Sequence, residues 1–199
     1  MKKAIITSFF ALIIASCAPL VKKERCQLYF KKIVKTSLES KPVFIRGNIF
    51  VHGAYLIFYG KFDENSSIVV KSPFGRKLFS VDYLKDSVCV KFSGQEKICS
   101  KNLSMYWDYL NIKLPFDLKQ ILTGKFKIDK NASFSCSEKG ITVINKGVRI
   151  FYVGDRPTRV EYNKFILLYS YDNGKIEKIT IQEKSKELLR IYIRETRKL

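Results

Sequence analysis

Apolar and polar positions change their spacing twice along the chain, and each change marks a boundary. An uncharged, mostly apolar run from Ala4 to Ile14 comes first. Residues 20–36 then take helical spacing. Leu20, Cys26, Leu28, Phe30, Ile33 and Val34 form a broad stripe against a lysine-rich remainder, which predicts an amphipathic helix lying on something. From Pro42 the period falls to two. Val43, Ile45, Ile49 and Val51 share one face of a strand, and Tyr55, Ile57 and Tyr59 follow in a second after the turn at His52-Gly53, giving a hairpin. Further strands are predicted at 67–72, 77–84, 87–92 and 96–100, each bounded by Gly, Asn, Ser, Asp or Pro.

Residues 103–123 break this pattern with two short helical stretches. Met105, Tyr106, Trp107, Tyr109 and Leu110 form the first. Pro115 and Asp117 introduce the second, which carries Phe116, Leu118, Ile121 and Leu122 and stops at Gly124 as a C-cap. Strands resume at about 132–137, 140–145, 148–153, 159–171, 175–183 and 187–195, and Asn173-Gly174 is the strongest hairpin signal in the chain. No repeat or linker interrupts the sequence. The prediction is a mainly β (α+β) fold: one curved antiparallel sheet with helices at its start and middle.

The leading run has a cationic head, Lys2-Lys3, and ends on Ile14-Ala15-Ser16-Cys17. It is shorter than the roughly 20 residues a membrane span needs, and small residues precede the cysteine as at an export cleavage site. Ile14-Ala15-Ser16-Cys17 resembles a lipobox, in which the cysteine takes diacylglycerol and becomes the new N-terminus. Residues 1–16 are read as the signal and 17–199 as a single domain. Removing the signal takes away two lysines and no acids, so the net charge falls from +19 to +17 and the basic excess belongs to the domain. The lysines are scattered, with no run of five or more. They fit a solvated face of a lysine-rich protein as well as a surface for an anionic membrane or acidic partner. Export disfavours nucleic acid, and a monomer is expected.

Export also permits disulfides among Cys26, Cys89, Cys99 and Cys136. Cys89 and Cys99 flank two short strands turning at Ser93-Gly94-Gln95, which places them opposite each other. Cys26 with Cys136 is the pair that this leaves over. No metal site is expected with one histidine and no close cysteine pair. No cofactor is indicated. His52 lies in a hairpin turn without a nucleophile motif nearby, and the acids sit beside lysines in loops, so binding rather than catalysis is expected. Aromatic side chains are abundant on the strands, and several strands are apolar on both faces. That pattern suits an ordinary filled sheet core first, and second a half-open barrel with a cavity for hydrocarbon chains, which periodicity does not separate from it.

The order of segments carries a resemblance. Phe44-Ile45-Arg46-Gly47-Asn48-Ile49 is followed by a strand ending Gly60-Lys61-Phe62, then Ile68-Val69-Val70-Lys71-Ser72-Pro73-Phe74-Gly75 leading into Leu78-Phe79-Ser80-Val81, with Leu114-Pro115-Phe116-Asp117-Leu118 through Gly124 as a helical insert. With the lipobox and amphipathic helix ahead of it, this series resembles the outer-membrane lipoprotein receptor family LolB. Ser72-Pro73-Phe74-Gly75 is its compact motif, and the later half matches by strand order.

The resemblance implies an incomplete barrel of about eleven strands, lidded by the helices, whose apolar interior receives acyl chains of lipoproteins from a periplasmic LolA-like carrier. Localisation would be the periplasmic face of the outer membrane of a Gram-negative bacterium, through lipidated Cys17. Candidate lining residues are Ile45, Ile49, Tyr55, Ile57, Val69, Phe79, Val81, Trp107, Leu118, Leu122, Ile150, Tyr152 and Leu167. Pro73, Phe74 and Gly75 would form a loop inserting into membrane lipid. An envelope assembly factor with a filled core, or a binder of other lipids or glycolipids, would fit the same segments. The anchor is tested directly: Cys17→Ala is expected to abolish membrane fractionation, and a variant processed normally that still pellets with membrane would refute the lipobox reading.

Overall fold

The computed structural model describes residues 24–39, 41–101 and 114–199. The lipobox, Leu20 and the first helical stretch of the insert lie outside them. Helix α1 covers residues 24–38. Strands β1 (Val43–Val51), β2 (Ala54–Phe62), β3 (Ser67–Lys71), β4 (Lys77–Tyr83), β5 (Val88–Phe92) and β6 (Lys97–Ser100) precede helix α2 (Leu118–Thr123). Strands β7 (Ser133–Ser137), β8 (Gly140–Asn145), β9 (Val148–Val153), β10 (Arg156–Tyr162), β11 (Phe165–Asp172), β12 (Lys175–Glu183) and β13 (Lys186–Lys198) complete the chain. No helix among the described residues is long and apolar enough to cross a membrane.

All thirteen strands of the described residues belong to one antiparallel sheet in the order β6-β5-β4-β3-β2-β1-β13-β12-β11-β10-β9-β8-β7, so β6 and β7 are its edges and it does not close into a barrel. The eleven strands expected become thirteen partly because the segment read as one strand over 159–171 is folded in half. Tyr162 pairs with Phe165 across Asn163-Lys164, with Asn163 in the left-handed region. No Gly or Pro marks that turn, and asparagine's tolerance of positive φ is what permits it. The expected hairpins at His52-Gly53 and Asn173-Gly174 are present, each with positive φ at both loop residues, as a two-residue hairpin of this hand requires.

The meander gives the sheet two ends. At the basal end β1 begins and β13 finishes, while the loops at 52–53, 72–76, 93–96, 163–164 and 184–185 lie at the apical end. First and last strands meet in the middle, where β1 joins the six-strand half to the seven-strand half. A bulge interrupts that pairing: Arg46 opposes Glu195, but Gly47 opposes Ile193. The extra residue on β13 resets the alternation, so Ile193, Thr196 and Lys198 all project to the concave side.

The concave face buries the core. Phe58, Phe62, Ile68, Val81, Val90, Val143, Ile150, Leu167, Ile179 and Ile181 project there, and Phe30, Ile33 and Val34 of α1 pack against the same cluster. Leu28 departs from the expected stripe. It is 67% exposed, because the buried face follows the i, i+3, i+4 row through Phe30, Ile33 and Val34. Two disulfides staple the margins: Cys89–Cys99 joins directly opposed residues of β5 and β6, and Cys26–Cys136 ties α1 to edge strand β7 across 110 residues of sequence.

Gly47 is fixed by space, since a Cβ there would meet the Tyr192 carbonyl oxygen at 2.1 Å and the Phe58 ring at 2.6 Å. Gly47→Ala is expected to cost about 1–3 kcal/mol by overpacking, read as a lower melting temperature. An unchanged transition would show that the β1–β13 contact can relax.

Candidate functional site

The insert spans the two halves of the sheet because its short helix is capped at both ends and held by two tyrosines. Asp117 accepts a hydrogen bond from the Gln120 amide at 2.6 Å, and the Gln120 side chain accepts one from Asp117 N at 3.1 Å, which completes a capping box. Burial raises the Asp117 carboxyl above the ordinary aspartate value, against the opposing pull of the Gln120 amide. Gly124 ends the helix in the left-handed conformation. The Tyr83 hydroxyl on β4 accepts from Leu118 N at 3.1 Å, and Tyr169 on β11 donates to the Ile121 carbonyl at 3.1 Å. Burial drives the Tyr169 phenol well above its usual pKa.

This clamp fills the middle of the concave face. Phe116 packs edge-on against Phe126 with ring centroids at 4.9 Å, and Phe126 against Tyr169 at 6.1 Å. Phe126 and Ile128 are fully buried in the strand-like segment after α2, which Asn145 holds by donating to the Lys127 carbonyl at 3.0 Å. Open volume lies at the basal end. A half-open cavity of about 580 Å³ lies between the last turn of α1, the end of α2 and the basal ends of β1, β2, β10, β11, β12 and β13. This is within the roughly 300–1,000 Å³ typical of small-ligand sites. Its walls include Val43, Ile45, Phe62, Leu122, Pro157, Tyr171, Ile176 and Ile193, and its margin carries Lys41, Lys119, Lys125, Lys127, Arg156, Lys175 and Lys198. Tyr171 donates to the Pro157 carbonyl at 2.7 Å, and Arg156 stacks over the Tyr171 ring.

Two candidate lining residues, Ile45 and Leu122, reach this cavity. Val81, Leu118, Ile150, Tyr152 and Leu167 belong to the packed core, while Ile49 and Phe79 are half-buried on the concave side toward the apical end. Tyr55, Ile57 and Val69 are corrections to the expected lining: they project from the convex face. The two-residue loop at His52-Gly53 pairs Ile45 with Gly60 and Ile49 with Leu56, so odd positions on β1 share a face with even positions on β2, and Ile68 rather than Val69 continues that face on β3. Trp107 and Cys17 lie outside the described residues. Among the described residues no group of three or more His, Cys, Asp or Glu side chains is placed to hold a metal.

Sequence reasoning missed most of the site. Phe62, Pro157, Tyr171, Ile176 and Ile193 come from five strands, and only their apolar or aromatic character was visible. The cations are spread from Lys41 to Lys198 and form no run.

Ser72-Pro73-Phe74-Gly75 forms a tight apical turn. The Gly75 amide donates to the Ser72 carbonyl at 3.0 Å, the Ser72 amide donates to the Arg76 carbonyl at 2.8 Å, and Gly75 has φ +83°. Phe74 is 97% exposed. The turn and the cavity therefore occupy opposite ends of the strands.

Sequence comparison finds no family model and no curated protein that matches the chain. Solved structures do match. A LolA superfamily protein from Nitrosomonas europaea superposes with a TM-score of 0.57 at 12% identity, covering 87% of this chain and 93% of the other. The fold is LolA-like. A DUF1329 family protein from Desulfovibrio piger matches with a TM-score of 0.52 at 8% identity, over 87% of this chain and 92% of its own.

In this LolA-like sheet the tyrosine clamp decides how much of the concave face stays filled. Tyr169→Phe removes one of two donors to the buried Ile121 carbonyl, which the Gly124 amide also reaches at 3.3 Å, and is expected to destabilise the protein by about 0.5–1.5 kcal/mol, measured by denaturant unfolding. No loss would show that the Gly124 amide alone satisfies the carbonyl.

Proposed function

We propose that this protein is a non-catalytic, outer-membrane-anchored receptor that accepts acylated lipoproteins from a periplasmic LolA-like carrier and inserts them into the membrane. The observation that carries this reading is the apolar cavity at the basal end of a LolA-like sheet, walled by Val43, Ile45, Phe62, Leu122, Ile176 and Ile193. Each buried acyl methylene is worth about 0.8 kcal/mol, so passing one long chain through water costs roughly 10 kcal/mol. A protein wall must therefore replace the bilayer at each stage of transfer. The cavity supplies that wall, Cys17 supplies the anchor, and the solvent-facing Phe74 ring supplies an apolar group that enters lipid without unpacking the core. Because cavity and turn lie at opposite ends of the sheet, cargo retention and membrane delivery are separable properties of the molecule.

The test is transfer of an acylated lipoprotein from a LolA-like carrier to the receptor and onward to liposomes. Ile176→Trp fills the cavity from β12 and is expected to retain about tenfold less cargo or lower still. Phe74→Glu is expected to retain cargo normally, keep its melting temperature, and deliver about tenfold less to liposomes. Full retention by Ile176→Trp would remove the cavity from the mechanism. Undiminished delivery by Phe74→Glu would remove the turn.

A further inference from the structure

The margin of the basal cavity is one-sided in charge. Seven cations border it, and the single carboxylate residue among its lining residues is Glu39. Nine ion pairs occur elsewhere on the described surface, but none includes Lys41, Lys119, Lys125, Lys127, Arg156, Lys175 or Lys198. Lys125 donates to the backbone carbonyl of Glu39, so capping the end of α1 accounts for one of the seven. Lys119 donates to the Ser66 hydroxyl at 3.2 Å, a neutral partner. Arg156 is held by the Tyr171 ring on one side and fits the space left at Gly174, where a Cβ would meet its guanidinium at 2.7 Å.

Cations gathered in this way repel one another, and the repulsion grows where burial removes water. Burial lowers the Lys125 ammonium below the ordinary lysine value, and Lys41 and Lys119 push in the same direction while Glu39 opposes them. A solvated, compositional lysine face would interleave its acids with its bases, as the nine pairs elsewhere do. This margin instead surrounds an apolar hole. The combination suits a molecule with a hydrocarbon tail for the walls and a negative head for the margin.

Resting on the lipid-binding reading above, we infer that the basal cavity selects an anionic amphiphile, holding its acyl tail among Ile45, Leu122 and Ile176 and its phosphate or carboxylate head against Lys119, Lys125 and Arg156. The acyl chains of any lipid cargo, a lipoprotein's included, would fill the walls, and an anionic head would add the contacts of the margin. Phospholipid, phosphorylated glycolipid and free fatty acid share the required chemistry, and the headgroup arms of the test separate them.

The experiment measures binding of fluorescent monomeric probes with identical acyl chains to the full protein: phosphatidylglycerol, a phosphorylated glycolipid, a fatty acid and phosphatidylcholine, with inorganic phosphate as a head without a tail. At least one anionic probe is expected to bind about tenfold tighter than phosphatidylcholine, to weaken in salt on the order of 0.5 M, and inorganic phosphate is expected not to compete. The double variant Lys119→Glu/Arg156→Glu, at one half-buried and one exposed site, is expected to abolish that preference, read as the ratio of anionic-probe to phosphatidylcholine affinity, and Lys175→Glu to reduce it in part. Equal binding of all acyl probes would overturn the headgroup inference and leave the acyl cavity standing. Absence of binding by every acyl probe would overturn both. A preference that survives the double variant would place the anionic head elsewhere and overturn the site.

Discussion

The pairing of the first and last strands holds the molecule together. β1 and β13 lie at the centre of the sheet, each with another neighbour on its far side, so neither half of the chain completes the concave core without the other. Gly47 is where the two backbones approach most closely, under the Tyr192 carbonyl and against Phe58. The bulge at this point does more than relieve crowding. By shifting the alternation of β13 it turns Thr196 and Lys198 toward the concave side, beneath Ile193, and thereby builds one wall of the basal cavity.

The insert between the halves then determines what the concave surface can hold. Tyr83 and Tyr169 stand in opposite halves of the sheet and grip opposite ends of α2, so the helix ties the halves through hydrogen bonds to its own end groups. Phe116, Phe126 and Ile128 follow it into the core and exclude ligand from the middle of the sheet. The basal end escapes filling because the cover there is made of chain ends and turns: the end of α1, Gly124, and the Asp172–Lys175 hairpin. Gly124 leaves space for Ile176 and Pro157 where a side chain would crowd them. A filled core and an open cavity, which looked like rival readings of one apolar pattern, coexist at different heights of the same sheet.

Charge follows the same division. On the convex face several cations are paired or stacked: Arg46 and Lys71 on the Tyr59 ring, Arg194 on Tyr192, and Arg190 with Glu187. Such contacts on a solvated surface contribute little to stability. At the basal margin the cations meet neutral groups, each other and the single carboxylate of Glu39, a placement that costs free energy without a ligand and gains it with an anionic one.

Local chemistry alone specified a good part of this protein. Period-two segments marked nearly every strand, Asn-Gly and His-Gly set two hairpins, Asp117 and Gly124 bounded α2, and the spacing around Gly94 set Cys89 opposite Cys99, because turns and caps depend on a few adjacent residues. The turn at Asn163-Lys164 was hidden because positive φ was supplied without glycine. Faces were the harder matter: Tyr55, Ile57 and Val69 are as apolar as their neighbours, and loop parity rather than composition turned them outward. The cavity was decided wholly by tertiary structure. Its walls come from strands far apart in sequence, and its cations, scattered one at a time along the chain, converge only when β1 meets β13 and the insert closes beneath them.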